Sequence, residues 1–325
     1  WAKALRDAAV QSADIYVDKA DLLWEAVTTQ ELPRSYHVGY RNDPNVQTNR
    51  HTGENLSAEF GTYPWITDPI NHPWKVICPK TGMMFPSNDF ESFYKLGIDE
   101  HGNWSYELAK QKNAELVAAG QEGYLVNKLY PEKGEGWGVD DGYGYDTGNV
   151  YPSGTKEVHT YISYYNHWGV WHGGLITKAL TALRDAYIYT GDPKYGRVGA
   201  ILVDRIADVY PDMDTAPYRA QLTATEDYAP KGKIVDLIWE HQLARNFTLS
   251  YDAFFPMYDD PYVVEYLSAK AAEYKMENPK TSGDLIRENI EDGILREIYR
   301  AVQTGNINGN FGMHQSCLAY AAVVL

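Results

Sequence analysis

The stretch that most restricts what this chain can fold into is "HGGLITKALTALRDAYIYTGDPKYGRVGAILVDRIADVYPDMD", residues 172 to 214. Leu175, Leu180, Leu183 and Tyr187 recur at helical spacing before the "TGDP" break, and Val198, Ile201, Leu202, Ile206 and Val209 recur after it. Apolar residues at that period need a helix to share one face, and a Gly-Asp-Pro break stops one helix and starts the next. The segment therefore predicts an antiparallel helical hairpin. Further helices are predicted over about 233 to 250, 260 to 276, 283 to 303 and 312 to 325, with another over 1 to 29. No repeat of fixed period is present, yet successive amphipathic helices with short breaks suit helix pairs arranged around a ring or solenoid.

From about 30 to 157 the character changes. Pro, Gly, Asn, Asp and aromatic residues dominate, as in "FGTYPWITDPINHPW". Such punctuation predicts long ordered loops with short helices, one near 105 to 120, and long loops in a compact domain are often functional. No convincing alternation of apolar and polar residues marks a strand. The expectation is a mainly α chain forming one domain over 1–325, loop-rich over 30–157 and helical over 160–325.

The 29 basic residues against 44 acidic ones give a formal charge of -15. That argues against nucleic acid or an anionic membrane as the main partner, while leaving room for an anion in a local pocket. No run of 18 apolar residues is present. Cys78 and Cys317 are too few for a disulfide framework and are expected as two buried thiols. Aromatic residues reach 14%, with 27 Tyr and 9 Trp, and their flat apolar faces with polar tips suit sugars. The terminal apolar run to Leu325 has no capping signal, and "WAKALRDAAV" opens inside an amphipathic pattern, so the sequence reads as a piece of a longer chain.

Four stretches carry candidate chemistry. In "NINGNFGMHQ", Asn310 and His314 stand four apart at a Gly-rich helix start, where amides and free N–H groups can face an anion. In "YISYYNHWGVWHGG", Tyr165, Trp168 and their aromatic neighbours interleave with Asn166, His167 and His172, the makings of a sugar-binding wall. In "IWEHQLARNF", Arg245 can clamp a carboxylate with Gln242 beside it. In "DDGYGYD", three aspartates lie on a Gly loop without the spacing of an EF-hand. There is no P-loop, no GxGxxG after a strand, no GxSxG, no HExxH and no CxxC, which removes most support for nucleotide, redox-cofactor and zinc chemistry.

Taken in order, "HPWKVICPKTGMMFPSNDFESFYKLGIDEHG", "LYPEKGEGWGVDDGYGY", "YYNHWGVWHGGL", "YTGDPKY" and "NFGMHQSCLAYAAVVL" resemble the helical domain of heparinase II/III-type polysaccharide lyases, alginate lyases among them. The resemblance runs from about residue 70 onward. It implies an incomplete (α/α) toroid of antiparallel helix pairs, followed beyond Leu325 by antiparallel β-sheet domains. It implies β-elimination on a uronic-acid polysaccharide, alginate first and a glycosaminoglycan next. An Asn or His neutralises the C6 carboxylate as the C5 proton leaves, and a Tyr or His serves as base and acid. No cofactor is required, although a structural divalent cation is compatible with the family. The partner is an anionic polysaccharide rather than nucleic acid or membrane, and the substrate class implies a secreted or periplasmic bacterial protein.

On this resemblance the family's Asn matches Asn310, with Phe311 where an adjacent His would stand and His314 one turn on. The alternative pair is Asn166 and His167, with Tyr218 and Tyr228 as partners, and Gln242 matches a substrate-binding glutamine. Two rivals remain open. One is a glycoside hydrolase on a helical toroid, using two carboxylates among Asp141, Glu226, Asp227 and Glu240. The other is a noncatalytic sugar-binding module.

Overall fold

The computed structural model describes residues 2–40, 49, 51–150, 156–218, 231–235 and 237–325. It is mainly helical, 58% helix with 5% strand. In chain order the helices are α1 (Ala2–Ala13), α2 (Ala20–Ala26), α3 (Ser57–Phe60), α4 (Phe90–Leu96), α5 (Tyr106–Ala118) and α6 (Tyr161–Tyr164). They continue as α7 (Leu175–Thr190), α8 (Pro193–Val209), α9 (Leu237–Phe254), α10 (Pro261–Glu273), α11 (Gly283–Ile290), α12 (Glu297–Thr304) and α13 (Met313–Val324). The chain divides into two compact units: unit 1 is 1–30, 170–214 and 231–325, and unit 2 is 31–169 and 215–230.

Unit 1 is built on α8. Residues are buried almost all round it, from Tyr195 to Val209, so α8 must be covered on every side. Helices α2, α7, α9, α10 and α11 pack on it, and α1 packs on α7. A Cβ at Gly199 would collide with the Phe254 ring, so only glycine lets α9 come this close. The "TGDP" break works as its chemistry requires. Gly191 takes the left-handed conformation (φ 67) that ends α7, the Asp192 side chain accepts the Lys194 N–H, and Pro193 occupies the first turn of α8, where no amide hydrogen is needed.

Ion pairs buried in unit 1 fix neighbouring elements to α8. Lys280, 1% exposed, places Nζ 2.5 Å from Asp204 and 2.6 Å from Asp208. Asn289 on α11 donates to the same two carboxylates at 2.9 Å. Lys280 itself sits at φ 53, where a side chain is disfavoured, and its backbone is held from both sides by Asn278 and Ser268.

Unit 2 rests less on regular structure. Strands β1 (Gly39–Tyr40), β5 (Tyr145–Val150) and β6 (Lys156–His159) form an antiparallel sheet in the order β1-β6-β5. Strands β2 (Ile66–Thr67), β3 (Val76–Ile77) and β4 (Met84–Phe85) form a second, with Ile66 opposite Ile77 and Val76 opposite Phe85. Leu32, Phe90, Phe93, Tyr94, Trp104 and Ile162 make its core. The "DDGYGYD" loop is tied to that core by Asp140, which is fully buried and accepts N–H groups from Gly142, Gly144 and Ile162 at 2.9 to 3.0 Å. Asn88 closes the knot by exchanging two bonds with the Asp140 backbone. Side-chain carboxylate and amide thus supply what a strand ladder would elsewhere.

Three expectations are corrected. The absence of strands fails, because most of these strands are two residues long and no period of two can be seen in two residues. The helix over 1 to 29 is broken by a 3-10 turn at Asp14–Tyr16 and a restart at Ala20. The helix over 283 to 303 contains a π segment, Glu291–Arg296. Both cysteines are free and buried. Among the described residues no helix is long and apolar enough to cross a membrane.

Candidate functional site

After α6 the backbone widens into a seven-residue π-helix, Tyr165–Trp171, which carries Asn166, His167 and Trp168. Such widening costs backbone regularity and is frequent at functional sites. The chain crosses from unit 2 to unit 1 between Gly169 and Val170.

In unit 2 the segment 35–38 is fastened alongside the start of this element. The Ser35 N–H donates to the Ser163 carbonyl at 3.1 Å and the Thr160 N–H to the Val38 carbonyl at 2.7 Å. The Trp168 indole N–H donates to the Tyr36 carbonyl at 3.1 Å, and the Asn166 amide donates to the carbonyls of Leu32 and Pro33 at 3.1 and 3.2 Å. The result is a continuous chain of rings. His37 stacks on Tyr63 with centroids 5.3 Å apart, Tyr63 meets Trp168 at 4.6 Å, and His167 lies edge-on to Trp168 at 4.7 Å and to Tyr36 at 4.6 Å.

Accessibility sorts these groups. Asn166 and His167 are fully buried, whereas Tyr63 is 48% exposed. The Tyr63 hydroxyl has no hydrogen-bond partner among the described residues, and neither does the buried His37 Nδ1. Burial pushes the His37 ring down to about 4, so it is neutral with a ring lone pair available at neutral pH, and burial raises the Tyr63 phenol, keeping it protonated. The wall can hold a sugar face, and its imidazole and phenol side by side can take and give a proton. Of this wall, the sequence predicts Asn166, His167, Tyr165 and Trp168. Tyr165 is buried, its hydroxyl driven up by desolvation, so Trp168 is the one nearer the surface. Tyr36, His37 and Tyr63 went unnamed, although "SYH" and "TYPW" set acid-base side chains in the loop-rich stretch.

In unit 1, α13 begins only at Met313, after Gly312 at φ 88. Asn310 therefore stands exposed in the preceding turn, its carbonyl accepting the Met313 N–H at 3.0 Å, and it does not share a helix face with His314. His314 is half-buried with Nδ1 unpartnered among the described residues. On α9, Gln242 and Arg245 are exposed, and one turn before Gln242 the Trp239 ring lies 5.0 Å from His172. Tyr218 ends a 3-10 turn, Ala216–Tyr218. Tyr228, Glu226 and Asp227 lie outside the described residues.

The other two candidate carboxylates have structural partners. Glu240 is fully buried, and its Oε2 accepts the N–H groups of Ile234 and Val235 at 3.0 and 2.8 Å, fastening the approach to α9. Asp141 accepts the Tyr106 hydroxyl at 2.5 Å and the Tyr143 N–H at 3.1 Å. No family model, curated protein or solved structure matches the chain.

His172, like His37, is pushed down to about 4 by burial from an ordinary 6.5. Both rings are neutral in the fold, while the unfolded chain binds a proton at each below 6.5. The unfolded state then gains protons that the fold refuses, so stability is lost as pH falls from about 6.5 through about 4. The urea midpoint should drop between about pH 7 and about pH 4, and a His37→Gln, His172→Gln double variant should drop less. Equal drops would mean that neither ring is held neutral.

Proposed function

We propose that the chain is the helical part of a polysaccharide lyase that cleaves a uronic-acid polymer, alginate before a glycosaminoglycan, by β-elimination. The observation that supports this reading is the wall in unit 2, where a reachable phenol, Tyr63, stacks on an imidazole and meets an indole at a tilt. His37, neutral in the fold, takes the C5 proton at Nε2, because its Nδ1 is buried. Tyr63 gives its proton to the departing O4 oxygen. The electrons of the C5–H bond form the C4–C5 double bond as the C4–O4 bond breaks, and solvent returns the proton from His37 to Tyr63. Neither an oxidant nor a second substrate is needed.

Trp168, with the Tyr63 ring, supports the sugar, while Asn166 and His167 act beneath it as positioning residues. The finer architecture belongs to the same proposal. Helices α7 to α13 form part of an (α/α) toroid that sheet domains complete in the whole protein, which is exported to meet its polymer.

The test is ultraviolet absorbance of the new C4–C5 double bond, with alginate, hyaluronan, chondroitin and heparan sulfate supplied separately. A rise with alginate is expected. Asn166→Ala, which removes the buried amide that holds Leu32 and Pro33, should then lower that rise by loosening the wall. Flat traces with new reducing ends would replace the proposal with hydrolysis, and binding without turnover would replace it with a sugar-binding module.

A further inference from the structure

The amide-rich stretch before α13 contains the one Asn-Gly pair in the sequence, Asn308 and Gly309. Gly305, at φ 78, ends α12, and the next anchor is Ile307, which is buried and donates its N–H to the Ala301 carbonyl at 2.9 Å. The chain is fixed again at Asn310, whose carbonyl accepts the Met313 N–H at 3.0 Å as α13 begins. Between these two points Asn308 is exposed, and the pair makes a single hydrogen bond among the described residues: the Gly309 N–H donates to the Asn308 Oδ1 at 2.8 Å.

An Asn side chain folding back on the backbone that follows it is ordinary turn chemistry. Here it also sets Asn308 Cγ, one bond from Oδ1, beside the nitrogen of the next residue, and glycine puts no side chain in the way. Two groups held in contact by one short piece of chain react without the cost of an encounter. Asn306 and Asn310, on either side, are followed by Ile307 and Phe311, whose side chains crowd the same approach.

We infer that Asn308 is a self-modification site, which converts to aspartate and isoaspartate through a cyclic imide. The Gly309 nitrogen gives its proton to solvent base and bonds to Asn308 Cγ, the Cγ–Nδ2 bond breaks, and ammonia leaves. Water then opens the ring at either carbonyl. One opening yields aspartate, and the other yields isoaspartate, whose backbone runs through Cβ. Water is the co-reactant, and nothing is oxidised or reduced. Either product puts a further negative charge two residues before Asn310 in a chain already at -15, and isoaspartate lengthens the link from α12 to α13 by one methylene. The inference concerns unit 1 alone and stands or falls independently of the elimination reading.

The experiment is incubation of the whole protein at mildly alkaline pH, followed over time by trypsin digestion and mass spectrometry. Residues 301–325 contain no Lys or Arg, so Asn306, Asn308 and Asn310 travel in one peptide and are compared directly by fragmentation. Asn308 should convert at least about tenfold faster than either neighbour, at a rate within about threefold of that in a synthetic peptide of the same residues. Gly309→Ala should slow the conversion about tenfold or more, because a Cβ obstructs the approach. Gly309 does not occupy the left-handed region that Gly305 and Gly312 take, so alanine fits there and the melting curve should be unchanged. The rate should rise with pH, since the attacking nitrogen must lose its proton. Equal conversion at all three asparagines, a parental rate in Gly309→Ala, or a rate in the folded protein more than about threefold below that of the peptide would overturn the inference.

Discussion

Tyr63→Phe should lower the rate of double-bond formation by about 10²- to 10⁴-fold, the range for losing a positioned general acid or base. The fold should not notice. The hydroxyl has no hydrogen-bond partner among the described residues, and the ring that stacks with His37 and Trp168 is retained, so stability should stay within about 0.5 kcal/mol of the parent. The Michaelis constant should also change little, because an interaction made only as the proton moves contributes to turnover and not to ground-state binding. The measurement is initial rate against alginate concentration by ultraviolet absorbance, with urea unfolding of the same preparation. A variant keeping more than half the parental rate would remove Tyr63 from the chemistry and return attention to Asn310 and His314.

Lys280→Met should be the most damaging single change to stability. Methionine fills nearly the same space but leaves Asp204 and Asp208 as adjacent carboxylates in the interior, Asp204 fully buried, with Asn289 and the more distant Arg205 left to answer them among the described residues. Breaking a buried ion pair from one side costs about 3–5 kcal/mol, against less than about 1 kcal/mol for an exposed one. Adding Asp204→Asn to Lys280→Met should restore part of the loss, since it removes one of the two stranded charges, and a double-mutant cycle measures the coupling. A loss below about 1 kcal/mol would mean that water reaches the cluster and that it does not fasten α11 to α8.

These two residues also mark how much the sequence discloses. The helices of unit 1 were legible because burial on one face repeats every three to four residues, and the "TGDP" signal names the end of α7 and the start of α8 almost to the residue. Lys280 was invisible, because a lysine in the "NPKTSG" break reads as solvated until two aspartates from α8 are found on its ammonium. The candidate wall was half legible. Asn166, His167 and Trp168 are adjacent in sequence and drew attention as a cluster, whereas His37 and Tyr63 arrive from distant loops whose positions are fixed by bonds such as Ser35 to Ser163, which no local pattern encodes. The π-helix has the same cause. Its hydrogen-bond register answers to packing, as where Gly169 meets Thr67, and not to residue spacing.

The packing of α1 on α7 has a consequence for synthesis. Asp14, just after α1, receives the Tyr195 hydroxyl at 2.7 Å, and Asp21 on α2 receives that of Tyr266, so the first thirty residues find their native partners only in segments made much later. At ordinary elongation rates the ribosome takes on the order of ten seconds or more to reach them. Over that interval α1 and α2 lack these partners from their own unit. Unit 1 therefore has a high contact order for a helical body, and its folding should be slower and more chaperone-dependent than its helix content alone would suggest.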